Sequence, residues 1–186
     1  LIFLTGIAIC YIIKKWVGLN KRIEWLLVDI CESFIVIASF VLGWLYQLNN
    51  KYIIGLNDVL SDRLKYIAQT MSTYNIKLWG QYIEEHGNGG SIIAKDNYFF
   101  IDNSFVRCMY EYGAIVFVLV IVLIFMAQKK MLDNEKYIMC LAFFIVTIAS
   151  FAEHHLLEIA YNPFIFSVFA CMSNNDKVIM EEKRIC

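Results

Sequence analysis

The residues best suited to chemistry in this sequence are crowded into one stretch, Glu153-His154-His155-Leu156-Leu157-Glu158, followed by Tyr161-Asn162-Pro163. On a helix, His154 and Glu158 are four apart and His155 and Glu158 three apart, so either pair shares a face. Pro163 cannot continue a helix cleanly, and Asn162 is biased away from helical angles, which fits a helix that breaks and restarts. The two histidines are 100° apart on a helix, so only one is expected to point inward. A purely structural turn is the bland alternative. His155-x-x-Glu158 also has the spacing of half a metal site, but no third ligand is evident, and no metal or cofactor is expected.

Two arginines stand elsewhere. Arg63 follows Asp62, either as an exposed surface pair or as a planar fork for phosphate oxygens. Arg107 follows Asp102-Asn103-Ser104, a capping sequence, and reads as an interfacial side chain. Asp29 and Glu32 lie about one turn apart near the inner end of an apolar run and read either as interfacial groups facing other helices or as a proton or substrate site. Six cysteines occur without a CxxC pair, which argues against zinc or a disulfide framework; those within apolar runs read as small buried hydrophobes.

These residues need elements to hold them, and composition says which kind. The chain has 186 residues, 60% hydrophobic and 18% charged, with net charge −1 and mean hydropathy +0.58. That is more apolar than soluble domains, and it offers no basic field for nucleic acid. About 20 apolar residues cross the hydrocarbon of a bilayer as a helix. Spans are expected at about 1–13, 25–48, 106–127, 137–152 and 156–172, with Gln128-Lys129-Lys130 stopping the third. The first, beginning at Leu1 without a methionine, reads as a truncated span, and the chain as the C-terminal part of a longer protein. Lysines and arginines cluster at 14–22, 129–136 and 177–184, which places those segments in the cytoplasm. Residues 49–105 then form one outer loop, and 173–186 a cytoplasmic tail. Within the loop, Asn57 or Asp58 caps an amphipathic helix over 58–72, with Leu60, Leu64, Ile67 and Met71 at helical spacing. Gly87 to Ser91 is a turn that matches no nucleotide-binding fingerprint. The fold class is all-α, one multi-pass transmembrane bundle with a large extracytoplasmic loop carrying short amphipathic helices.

Four stretches, LNDVLSDRL (56–64), YNIKLWGQYI (74–83), DNSFVRCMYEYG (102–113) and EHHLLEIAYNPF (153–164), together resemble the Wzy-type polysaccharide polymerases of the O-antigen polymerase and ligase superfamily. Their order and the large loop between spans also resemble that family. Where many members have Ser-Gly-Arg, this chain has Ser61-Asp62-Arg63. The resemblance implies a metal-independent GT-C-type glycosyltransferase in the bacterial cytoplasmic membrane. It would join undecaprenyl-pyrophosphate-linked oligosaccharides into capsule or exopolysaccharide on the outer face. It implies catalytic roles for His154, His155 and Glu158, and pyrophosphate or glycan contacts for Arg63, Arg107, Asp102 and Asn162. Partners would be the lipid-linked substrates, the bilayer, and a chain-length regulator and flippase. The rival expectations are a transporter or flippase for a polar lipid, which would also use broken helices, a membrane metalloenzyme, and a non-catalytic assembly component.

Overall fold

A computed structural model describes residues 21–86, 98–134 and 136–158. Among them are six α-helices: α1 (Lys21–Gln47), α2 (Lys51–Val59), α3 (Arg63–Thr73), α4 (Ser104–Arg107), α5 (Ala114–Asp133) and α6 (Tyr137–Ala149). A π-helical turn, Cys108–Tyr112, joins α4 to α5, and a 3-10 turn, His155–Leu157, follows α6. No β-strand occurs among the described residues, only one isolated antiparallel bridge between His86 and Phe99.

Two stretches are long and apolar enough to cross a membrane, Val28–Gln47 in α1 and Ala114–Asp133 in α5; α6 is apolar but shorter. Only 17% of the first window and 33% of the second is buried inside the protein. The core helix of a soluble domain would be mostly covered. On α1 the exposed positions Leu26, Ile30, Phe34, Ile37, Val41 and Trp44 form one continuous stripe at helical spacing. The opposite face of α1 packs through Val28, Ile35, Val36 and Phe40 against a core of Val120, Ile124, Met131 and Phe143 from α5 and α6. One polar contact lies inside that core. Gln128 donates to the buried Glu32 at 2.7 Å and accepts from Cys140 Sγ at 2.8 Å, tying α1, α5 and α6 together. Glu32 thus faces the other helices, as expected, and is buried between them. Cys108 and Cys140 are buried, whereas Cys31 lies on the exposed side of α1.

Several boundaries differ from those read in the sequence. The helix expected over 58–72 is two helices, broken at Ser61 and Asp62, which take left-handed angles of φ 54° and 65°. Asn57 is not the first residue of a helix but lies buried in α2. It still caps, across the break: its Oδ1 accepts from Lys65 N at 2.9 Å, and its Nδ2 donates to Asp62 Oδ1 at 2.8 Å. Leu64 and Ile67 are buried as their spacing required. The span expected at 106–127 begins only at Ala114, because Gly113 (φ +99°) ends the preceding turn. It also runs past Gln128-Lys129-Lys130 to Asp133. Lysine is a good helix former, and cations favour a helix C-terminus. Residues 155–157 form a 3-10 turn, so no α-helix begins at 156; the remainder of that expected span, the span at 1–13, the turn at 87–91, and the tail lie outside the described residues.

The segment between α1 and α5 and the turn after α6 meet at one end of the helices. Asn103 organises this junction. Its Oδ1 caps α4 by accepting from Phe105 N (3.0 Å) and Val106 N (2.9 Å). Its Nδ2 donates to Ser39 Oγ on α1 (3.1 Å) and to the Phe151 carbonyl (2.7 Å). A second buried cluster, with Leu64, Ile67, Ile83, Phe99, Ile101 and Val106, fills the space beneath.

Candidate functional site

The site is assembled from four chain segments at that junction. Arg63 is the first residue of α3, where Asp62 in its left-handed conformation turns the chain. Asp and Asn tolerate this region better than most residues because their short side chains bond locally. Arg63 does not pair with its neighbour Asp62. Its Nη2 donates to Glu153 Oε1 at 3.0 Å, and its Nε lies 3.5 Å from Asp102 Oδ2. The guanidinium fork therefore bridges two carboxylates that are distant in sequence.

Asp102 precedes the α4 cap and faces both Arg63 and His154. Burial pushes its carboxyl above the ordinary range; Arg63 and His154 oppose that rise, and Glu153 adds to it. The turn after α6 brings in His154. Its Nε2 lies 3.2 Å from Glu158 Oε1 and its Nδ1 lies 4.0 Å from Asp102 Oδ1. Ser104 clamps this turn to α4. Its backbone N donates to the Ser150 carbonyl (2.9 Å), its Oγ donates to the Glu153 carbonyl, and the same Oγ accepts from Leu156 N (3.2 Å).

Arg107, at the end of α4, is held by Glu85 and by Glu111 Oε2 at 3.2 Å. Burial raises the Glu111 carboxyl, with Arg107 opposing the rise. The buried Phe100 ring lies between His154 and Arg107: His154 meets it edge-on at 5.0 Å, and the Arg107 guanidinium lies over it at 4.7 Å. A cavity of about 70 Å³ opens between Ser104, Arg107, Tyr112, His154, Leu157 and Glu158. A water occupies about 30 Å³ of liquid, while pockets that enclose a drug-sized ligand run to about 300–1,000 Å³. The cavity thus admits a hydroxyl or a little water, and anything larger must lie across its mouth.

Charge decides what the site can do. Glu85, Asp102, Glu111, Glu153 and Glu158 face the guanidinium groups of Arg63 and Arg107 and the imidazole of His154. Carboxylates are therefore in excess, and both arginines are already paired. Where an anion takes the place of a carboxylate on Arg63, Glu153, the more exposed of its two partners, is the easier one to move.

Of the residues singled out in the sequence, Arg63, Asp102, His154 and Glu158 form one connected network. Arg107 lines the same cavity through Phe100 and its own acidic pair, and is not a snorkelling surface residue. His154 and Glu158 approach each other through a 3-10 turn, not along an α-helix. The side chain of His155 and all of Tyr161, Asn162 and Pro163 lie outside the described residues. Sequence reasoning did not select Glu85, Ser104, Glu111 or Tyr112. Glu85 carries no local signal, and Ser104 stood out only as part of a capping sequence; their roles here arise from contacts across the fold. Among the described residues no group of three or more His, Cys, Asp or Glu side chains is arranged to hold a metal ion. Comparison with protein-family models, with characterised proteins and with solved structures finds no match.

Proposed function

We propose that the chain is part of a multi-pass bacterial membrane protein that polymerises undecaprenyl-pyrophosphate-linked oligosaccharides on the outer face of the cytoplasmic membrane. The observation that carries this reading is the convergence of Arg63, Asp102 and His154, from stretches 56–64, 102–113 and 153–164, at one end of the apolar helices. Those are three of the four stretches on which the resemblance to Wzy-type polymerases rests. Asp62, at the place where many members carry glycine, has a left-handed backbone of the kind glycine favours. The low burial of α1 and α5 supports lipid around them, and the site then lies at the membrane surface, where a polyprenyl tail can stay in the bilayer.

In the proposed reaction an acceptor hydroxyl oxygen attacks C1 of the growing glycan. The C1–O bond to pyrophosphate breaks, and undecaprenyl pyrophosphate leaves with the electron pair. Glu158 and Asp102 orient the His154 imidazole from its two nitrogens, the imidazole takes the hydroxyl proton, and the two carboxylates stabilise the resulting cation. Arg63 exchanges Glu153 for a pyrophosphate oxygen and faces the charge that develops as the bond breaks. The small cavity receives the acceptor hydroxyl, and the rest of the glycan lies outside it. Carboxylates around the mouth are suited to accept hydrogen bonds from sugar hydroxyls.

The test is complementation of a strain lacking the gene. His154→Ala should reach the membrane at the wild-type level and leave mainly single repeat units, a loss of about 10²–10⁴-fold in rate. Full-length glycan from that variant would remove the catalytic assignment.

A further inference from the structure

The segment 76–82 presents an apolar surface that the proposed reaction does not use. Trp79 is 83% exposed and Tyr82 87% exposed, with Ile76 and Leu78 beside them. Such side chains on a loosely held loop would carry no message, but this segment is fixed. The Lys77 carbonyl accepts from Ala114 N at 3.0 Å, and the Leu78 carbonyl accepts from Ile115 N at 3.3 Å. These are the first amide groups of α5, which an isolated helix leaves without partners. Gln81 adds three bonds: its N donates to the Glu111 carbonyl (3.0 Å), and its Nε2 donates to the Asn75 (2.7 Å) and Tyr110 (3.3 Å) carbonyls. Gly80 and Gly113, with φ of +81° and +99°, lie back to back. A Cβ on Gly80 would run into the Glu111 carbonyl, and one on Gly113 into the Gly80 backbone nitrogen.

From this geometry we infer that residues 76–82 form an interfacial anchor, with Trp79 and Tyr82 seated among the lipid headgroups at the outer end of α5. The argument is one of level and continuity. The segment is bonded to the first turn of a 20-residue apolar helix, so its exposed rings stand at the height where that helix leaves the hydrocarbon. Trp and Tyr favour this zone because their bodies are apolar and their edges polar. The bilayer interface is the occupant. The anchor sets the height of the π-helical turn, and through Arg107 and Glu111 the height of the site's cavity above the membrane. The inference rests on the membrane reading above and not on the polymerase chemistry.

The experiment uses the full chain in phosphatidylcholine vesicles, with lipids brominated at shallow or deep acyl positions. Two variants each keep one indole: W16F/W25F/W44F keeps Trp79, and W16F/W25F/W79F keeps Trp44, on the exposed stripe of α1. Trp79 emission should be quenched more by shallow than by deep bromines, and little by aqueous iodide. Strong iodide quenching of Trp79 without bromolipid quenching, while bromolipids quench Trp44, would overturn the anchor and spare the membrane reading. Iodide quenching of both would overturn both. Should the triple variants fold poorly, the difference between wild type and Trp79→Phe isolates the same signal.

Discussion

Replacing Arg63 by lysine separates a structural role from a functional one, because the two predict losses of different size. The guanidinium spans two carboxylates, with Nη2 at 3.0 Å from Glu153 and Nε at 3.5 Å from Asp102. Lysine keeps the charge but has a single nitrogen, so it can satisfy one acid well and must leave the other. Its side chain is 30% exposed, and that of Glu153 is 45% exposed. Solvent therefore screens the pair, and the structural cost of losing one arm is about 0.2–1 kcal/mol. Against a total stability of about 5–15 kcal/mol, this leaves the protein folded and inserted. If Arg63 faces the charge of the leaving pyrophosphate, the loss falls on the barrier instead. Removing one such donor costs about 2.7–4 kcal/mol, or about 10²–10³ in rate. The assay is gel analysis of surface glycan length in a complemented deletion strain, with membrane levels measured by immunoblot. Arg63→Lys should be present at the wild-type level while long chains disappear. A wild-type ladder would show that Arg63 only ties α3 to the turn after α6, and the pyrophosphate contact would be wrong.

Burial raises the Asp102 carboxyl above its unfolded value, so its contribution to stability is complete below the unfolded pKa and is lost as pH rises through the folded one. The thermal midpoint in detergent should therefore decline for wild type relative to Asp102→Asn as pH climbs through and above the carboxylate range; parallel profiles would refute the shift. Orientation is tested by thiol labelling of intact cells. A cysteine at the exposed Ser72 should be labelled from outside and one at the exposed Asn134 should not, and the reverse pattern would move the site to the cytoplasm. Gly113→Ala places a side chain at φ +99° against the Gly80 backbone. It should lower stability by roughly 1–3 kcal/mol, read as a fall in thermal midpoint in detergent; an unchanged midpoint would mean that the 76–82 segment is not stapled to α5 as described.

What the sequence settled by itself is what short-range physics controls. The apolar runs over 25–48, 106–127 and 137–152 correspond to helices because length, composition and 3.6-residue spacing act within a few turns. Asn103 was recognisable as a cap, and Leu64 and Ile67 as inward-facing, for the same reason. Boundaries were less legible where one residue's backbone angle decided them. Asp62 splits a helix by taking a left-handed angle that the pattern of apolar residues does not register, and Gly113 delays α5 by opposing Gly80, 33 positions away. The choice of partners was decided by tertiary structure alone. Arg63 had an acid next to it, yet it pairs with Asp102 and Glu153. Arg107 had the look of an interfacial cation, yet Glu85 and Glu111 enclose it. A charge at the surface pairs with whatever the packed helices bring within reach, and that distance is fixed by the Asn103 and Ser104 junction between elements far apart in the chain. The sequence named most of the groups that could do chemistry; the packing of α1, α4 and the turn after α6 determined which of them share a site.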